Sequence, residues 1–293
     1  MAERAWCCKD ALDWTADYLA RTGDPHPRRS AEWLLSAATG LSRVEIYALH
    51  DRPLRADERA ALHAAIERRA SGEPLQYVTG EMPFRHLVLR VERGVFIPRP
   101  ETEVLVDVAL EALAPVAGPF VADLCTGSGA VAVSIAYEQP GTRVVATDVS
   151  ELAVEAAHRN ALYAGVADRV QVLQGSLFEP VPSEFLGTFD AVVSNPPYVP
   201  TSAVRELPAE ILEHEPRAAL DGGPDGLDVA RAIATEALMW LKPGGLLAME
   251  VDERRARTMA DELAAAYKCV EVRKDLTGRD RIVQGKKREA RQS

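Results

Sequence analysis

The residues most ready to do chemistry are Asn195-Pro196-Pro197-Tyr198, set inside SNPPYVP (194–200) directly after the apolar run FDAVV (189–193). Neither proline can donate to a strand ladder, so a buried strand must end at this point. The Asn195 side-chain oxygen and the Pro196 carbonyl are then two hydrogen-bond acceptors at a strand end, the second stiffened by the proline rings. Together they can take both N–H groups of an –NH2, on an amide or an aromatic base, and favour a localised lone pair on a nitrogen that is otherwise a poor nucleophile. Positioning of that kind supplies several kcal/mol when reacting atoms are held about 3–3.5 Å apart. Tyr198 offers a flat apolar wall for a planar group. Asn195, Pro196 and Tyr198 are the candidate catalytic residues, and Pro197 completes the candidate substrate loop.

A second cluster lies upstream. Asp123-Leu124-Cys125-Thr126-Gly127-Ser128-Gly129 closes the run FVADL (120–124) and leads straight into a helical pattern. Gly127 and Gly129 let backbone approach a ligand closely, and free N–H groups at a helix start suit an anion. Nineteen residues past Gly129, RVVAT (143–147) ends in Asp148, an acid placed to accept from ribose hydroxyls. These features indicate an adenosine-type cofactor. Gly127-x-Gly129-x-x-Ala132 also satisfies the alanine form of the dinucleotide fingerprint, so the loop alone leaves a nicotinamide cofactor open. Asp123 favours S-adenosylmethionine: an acid there can hold the loop and an ammonium group, whereas it would repel a pyrophosphate.

Both clusters need a frame that brings strand ends together. From Phe120 onward strand-like and helix-like runs alternate: FVADL, AVAVSIAYEQ (130–139), RVVAT, ELAVEAAHRNALYAG (151–165), VQVLQG (170–175) and FDAVVS (189–194). After a long loop come DVARAIATEALMWL (228–241), stopped by Lys242-Pro243-Gly244-Gly245, then LLAMEV (246–251) and RARTMADELAAAY (255–267). CVEVRKDL and DRIVQG close the chain as a strand pair. The expected fold class is α/β, a mostly parallel Rossmann-like sheet with helices on both faces and an antiparallel C-terminal pair. Ligands in such sheets sit at the carboxyl ends of the strands.

Residues 1–72 read as helices only. Leu12, Trp14, Ala16 and Leu19 form one approximate apolar stripe; Pro27 and Gly40 punctuate a second helix; Ser42-Arg43-Val44-Glu45 is a capping box; Leu62, Ile66 and Ala70 share a side of a fourth helix. This part shows no chemistry of its own and is expected to be a substrate-docking domain. Residues 73–94, with LQYVTG and HLVLRVERG, read as a β-hairpin linker to a catalytic domain over 95–285, and KKREARQS (286–293) as a disordered basic tail.

Composition narrows the class. The chain has 293 residues, 47% of them apolar, and no apolar run long enough to cross a membrane. Its first residues lack the marks of a signal peptide, which predicts a cytoplasmic location and no membrane partner. The four cysteines, Cys7, Cys8, Cys125 and Cys269, have no metal-ligand spacing, so reduced thiols and no metal are expected. A net charge of −10 argues against stable nucleic-acid binding.

The glycine loop, Asp148 and Asn195-Pro-Pro-Tyr198 resemble class I S-adenosylmethionine-dependent methyltransferases that act on –NH2 nitrogens. The segments GEPLQYVTGEMPF (72–84), VFIPRPETE (95–103), HEPRAAL (214–220), DGGPDGLD (221–228) and DLTGRDRIV (276–283, from the leucine) narrow this to the peptide chain release factor glutamine methyltransferases, the PrmC/HemK family, over essentially the whole chain. The resemblance implies methyl transfer to the side-chain amide nitrogen of the glutamine in the Gly-Gly-Gln motif of class I release factors, by a monomeric enzyme with S-adenosylhomocysteine as the second product. It implies that Asp123, Cys125–Gly129, Asp148 and Asn195 bind the cofactor and that Leu177 or Phe178 covers its adenine. It implies further that Phe96, Pro98 and Arg99 line the channel to the glutamine, bordered by Glu215. Such loops usually carry glycine where this chain has Cys125, which is expected in an extended conformation with its thiol packed on the loop. The alternative is an adenine-N6 methyltransferase on DNA or RNA, using the same loop on a base. That reading needs a basic, aromatic recognition region, and no long basic insertion occurs. A cofactor-binding domain without activity is the third possibility, opposed by the intact Asn-Pro-Pro-Tyr.

Overall fold

A computed structural model describes residues 6–289. Contacts divide the chain into two units, Met1–Glu81 with Ala209–His214, and Met82–Pro208 with Glu215–Ser293.

The first unit is helical: α1 (Cys8–Arg21), α2 (Pro27–Thr39), α3 (Arg43–Ala48), α4 (Ala56–Ala70) and α5 (Leu75–Thr79). The punctuation residues act as their chemistry requires. Gly40 closes α2 at φ 71°. Ser42 Oγ accepts the Glu45 N–H at 3.3 Å while Glu45 Oε2 accepts the Ser42 N–H at 2.8 Å, a reciprocal cap on α3. Leu12, Leu19, Leu34, Leu35, Ile46, Leu62 and Ile66 are buried in one cluster. Trp14 is not among them. It lies two residues from Leu12, on another face of the helix, and is 40% exposed. LQYVT is helix rather than strand: Pro74 before it and Gly80 after it, at φ 76°, set helix ends that outweigh the β preference of Tyr, Val and Thr. Arg69, buried, binds Asp24 at 2.7 Å and Glu210 at 2.8 Å, which fixes the Ala209–His214 helix to this unit.

The second unit begins with a hairpin of β1 (Glu81–Phe84) and β2 (Leu87–Arg90), followed by α6 (Glu103–Leu113). Then come β3 (Phe120–Leu124), α7 (Ala130–Glu138), β4 (Arg143–Asp148), α8 (Glu151–Tyr163), β5 (Val170–Gln174) and β6 (Phe189–Ser194). The helix of the first unit, Ala209–His214, is α9, and α10 (Asp228–Trp240), β7 (Leu241–Glu250), α11 (Ala256–Leu263), β8 (Tyr267–Lys274) and β9 (Asp280–Lys287) complete the chain. The large sheet has the order β5-β4-β3-β6-β7-β9-β8. β3 to β7 are parallel neighbours, and β9 pairs antiparallel with β7 and β8. Alternation along β3 sends Val121 to a core with α6, α7 and α8, and Ala122 and Leu124 to a core with α10 and α11. Strand order reverses beside β3, where β4 leaves to one side and β6 to the other, so the ends of β3, β4 and β6 frame a crevice.

Two boundaries differ from the sequence reading. β7 starts at Leu241, so Lys242-Pro243-Gly244-Gly245 lies inside the strand, with a register shift opposite Phe189 and Ala191. This is a bulge, and Gly245 permits it: a Cβ there would sit 3.1 Å from the Phe189 carbonyl oxygen. The basic tail begins later than expected. Lys286 pairs with Leu246, and Lys287 Nζ donates to the Leu241 carbonyl at 2.7 Å, so both belong to β9. Residues 290–293 lie outside the described residues.

Candidate active site

The loop after β3 is held by its own acid. Asp123 is buried, and its Oδ2 accepts the Thr126 hydroxyl at 2.6 Å and the Ala132 N–H at 3.1 Å. Burial pushes the Asp123 carboxyl up to about 7, against these two bonds and with help from the nearby Asp148 charge. Thr126 N–H donates to the Thr147 carbonyl at 3.0 Å, tying the loop to the end of β4. Asp148 accepts the Gly127 N–H at 2.9 Å on Oδ2 and the Ser150 N–H at 2.9 Å on Oδ1; burial raises its pKa too.

The two glycines have different reasons. Gly127, at φ 56°, has open space where a Cβ would stand, as close approach to a ligand requires. Gly129, at φ 80°, would put a Cβ 3.0 Å from Ala157 Cα, so it serves the packing of α7 on α8 rather than ligand approach. Cys125 corrects an expectation. Its φ is 57°, the left-handed region, not extended backbone, so it occupies the glycine conformation at a cost of about 1 kcal/mol. Burial, with the Asp148 charge next, pushes its thiol up to about 12. Ser128 is buried and its hydroxyl has no partner among the described residues; the same holds for Thr147.

The two adenine candidates both pack with one core cluster. Phe178 is buried and stacked on Trp240, ring centroids 5.0 Å apart at 7°, and belongs to the core. Leu177 beside it is half-buried, at φ 47°.

At the end of β6, Ser194 Oγ donates to the Leu124 carbonyl at 2.7 Å, joining the two strand ends that carry the clusters. Asn195 Nδ2 donates to Thr102 Oγ1 at 3.1 Å. Thr102 Oγ1 in turn donates to Glu250 Oε2 at 2.6 Å, and Tyr198 O–H donates to Glu250 Oε1 at 3.2 Å. Among the described residues nothing donates to Asn195 Oδ1 or to the carbonyl of Pro196, which is buried. Tyr198 is a neutral phenol, its pKa raised by burial and by Glu250. A pocket of about 220 Å3 opens here, lined by Arg99, Glu101, Tyr198, Glu250 and Arg281.

The remaining predicted residues form the wall. Pro98 is buried, Phe96 is half-buried, and the Arg99 guanidinium lies 4.9 Å from the Phe96 ring centroid. Glu215 is buried, pairs with Arg99 and accepts the Ile97 N–H at 3.3 Å, so it holds the Phe96–Arg99 segment in place from behind. DGGPDGLD (221–228) backs the substrate loop: Val199 and Asp221 form a parallel bridge, and a Cβ on Gly222 or Gly226 would lie 2.5 Å from the Pro197 oxygen or 2.3 Å from the Tyr198 oxygen.

Thr102, Glu250 and Arg281 were not singled out by sequence reasoning as site residues. Thr102 and Arg281 lie within quoted segments, and Glu250 stands at the carboxyl end of a predicted strand, the position the fold reserves for ligands. Asn160 was missed as well. Buried on α8, it accepts the Arg90 N–H at 2.8 Å and donates to the Ser128 carbonyl at 2.8 Å, bracing the glycine loop from a helix that gave no chemical signal. No group of three or more His, Cys, Asp or Glu suited to a metal ion occurs among the described residues.

A family model described as PrmC N-terminal domain matches residues 10–80, and one described as Methyltransferase small domain matches residues 100–225. The chain is similar to the release factor glutamine methyltransferase of Geobacter sulfurreducens, 44% identical over 282 residues, covering 96% of this chain and 97% of that protein. It is 43% identical to that of Moorella thermoacetica over 283 residues, covering 96% and 99%. The corresponding protein of Deinococcus radiodurans is 40% identical over 279 residues, covering 95% and 98%. Identity of this extent across both units, together with the strand-end clusters, means that the chain belongs to the release factor glutamine methyltransferase family.

Proposed function

We propose that the chain transfers a methyl group from S-adenosylmethionine to the side-chain amide nitrogen of the glutamine in the Gly-Gly-Gln motif of class I peptide chain release factors. One observation carries the chemistry. Asn195 turns Nδ2 to Thr102, and Oδ1 and the Pro196 carbonyl remain as two acceptors at the end of β6, beside the glycine loop. Two acceptors suit the two N–H groups of a primary amide. The relatives, named as release factor glutamine methyltransferases, suggest the substrate class.

The residues at the crevice fit the cofactor. Ser128 and Thr147 hydroxyls are buried without partners, Gly127 has open space, and both bonds to Asp123 fall on one carboxylate oxygen. Such groups suit the carboxylate, ammonium and ribose hydroxyls of a nucleoside-linked amino acid. Asp123, Cys125–Gly129 and Asp148 would hold it, with Leu177 against the adenine. When bound, S-adenosylmethionine supplies an electrophilic methyl group on a sulfonium. The protein's part is alignment: Asn195 and Pro196 would orient the amide, with Tyr198 and Phe96 flanking it. With that group bound, Asn195 Oδ1 and the Pro196 carbonyl would hold the amide nitrogen with its lone pair toward the methyl carbon, and the amide proton would leave to solvent.

The helical unit would dock the protein substrate, with the enzyme acting as a monomer. The reading is tested by methyl transfer to a purified class I release factor, with Asn195→Ala in parallel. The variant is expected to bind S-adenosylmethionine as the parent does and to lose at least about a hundredfold in turnover. Turnover near that of the parent would remove Asn195 from the role given to it.

A further inference from the structure

The chain of hydrogen bonds from Glu250 to Asn195 has a direction. Burial raises the Glu250 carboxyl above its ordinary range, opposed by the Thr102 bond and the Arg281 charge; in its ionised form it only accepts, and the single hydroxyl proton of Thr102 is then committed to Glu250 Oε2 at 2.6 Å. The Thr102 oxygen then has lone pairs alone to offer, and what faces it from Asn195 must be a donor, Nδ2 at 3.1 Å. With Nδ2 so turned, Oδ1 points the other way. The second Glu250 oxygen accepts the Tyr198 hydroxyl at 3.2 Å. One carboxylate, 1% exposed, thus grips both ends of Asn-Pro-Pro-Tyr.

We propose that Glu250 and Thr102 are positioning residues that set the donor–acceptor polarity of Asn195, and that this polarity lets the site select a glutamine amide over a glutamate carboxylate. The proposal rests on the glutamine reading above. An –NH2 requires acceptors, and Asn195 Oδ1 and the Pro196 carbonyl supply two. A carboxylate in the same place would bring only lone pairs against those oxygens. An Asn195 turned over would present Nδ2 instead, which donates to a carboxylate and repels the amide N–H. Size and shape are nearly the same in the two states, and what differs is whether an oxygen or an NH2 faces the substrate. Neither Glu250 nor Thr102 needs to touch the substrate.

The test compares Thr102→Val, Thr102→Ser and Glu250→Gln with the parent enzyme. Turnover and KM are measured on a release factor carrying Gly-Gly-Gln, and inhibition by the same factor carrying Gly-Gly-Glu, with S-adenosylmethionine affinity measured separately. The parent is expected to bind the glutamate factor at least tenfold more weakly. Thr102→Val should lose at least tenfold in kcat, keep cofactor affinity within twofold, and bring the glutamine-to-glutamate preference close to one. Thr102→Ser, which retains the hydroxyl, should recover most of both. Glu250→Gln should move the same way, and where that variant melts early the Thr102 pair carries the test. A merely structural role would weaken both factors alike. Unchanged preference in Thr102→Val, or no recovery in Thr102→Ser, overturns the proposal. A parent enzyme that leaves the Gly-Gly-Gln factor unmethylated overturns the functional reading itself.

Discussion

Cys125, after β3, and Leu177, after β5, hold backbone conformations that glycine adopts without strain, at φ 57° and 47°. Strain of that kind is retained where a loop is held by its surroundings, and here Asp123, Thr126 and Asp148 hold it. Cys125→Gly should therefore stabilise the fold by about 0.5–1 kcal/mol, a rise in Tm of a few degrees read by thermal melting. A fall in Tm would mean that packing of the thiol outweighs the strain. Asp123 gives a pH prediction. Its folded pKa, about 7, is raised above the unfolded value. Its contribution to stability is therefore present at low pH and is lost as pH rises from the ordinary carboxylate range through about 7. A cationic ligand favours the ionised form, so S-adenosylmethionine should bind more tightly above pH 7 and weaken by up to about tenfold per pH unit below it. Calorimetry across that range checks this, and Asp123→Asn should flatten the dependence. At this scale the sequence revealed residue types well and their conformations poorly. Asn195, Asp123 and Asp148 were visible through position, whereas the φ of Cys125 is set by hydrogen bonds from Thr126 and Gly127 that no local pattern encodes.

Elements determine whether those residues meet. β3 and β6 carry the two clusters to one edge, and Ser194 fastens their ends. The strand–helix alternation made this arrangement legible, because buried parallel strands leave near-continuous apolar runs. Short elements were harder. α5 was hidden by Tyr, Val and Thr, and the bulge in β7 by Pro243 and two glycines, since neither local preference nor turn residues report tertiary pairing. The physical reason for the loop 221–228 lies in tertiary contact: Gly222 and Gly226 lie against the backbone of Pro197 and Tyr198. Gly226→Ala would drive a methyl group to 2.3 Å from the Tyr198 oxygen. It should lower turnover at least about tenfold and leave cofactor affinity unchanged, since the glycine loop belongs to another strand. Steady-state kinetics beside a binding titration separate the two, and equal losses in both would contradict the local account.

For the whole molecule, the proposed docking role falls to the helical unit. Its surface carries Trp6 and Trp14, each 40% exposed, with Trp14 stacked on Tyr18 at 5.2 Å. Exposed aromatic groups of this kind commonly anchor protein partners. Trp14→Ala should raise KM for an intact release factor by about tenfold and leave turnover on a short Gly-Gly-Gln peptide nearly unchanged; equal effects on both would remove docking from this surface. The two-part organisation was legible from the switch between helix-only and alternating patterns, while the membership of α9 in the helical unit was not. Ala209–His214 lies far along the sequence from that unit and is joined to it through Arg69 and Glu210. Methyl transfer to a release factor is read by mass spectrometry after incubation with S-adenosylmethionine and either a purified class I release factor or an adenine-rich oligonucleotide. The account predicts one methyl group, on the side-chain nitrogen of the Gly-Gly-Gln glutamine, and none on the oligonucleotide. Methyl on the oligonucleotide alone, or on neither substrate, would contradict it.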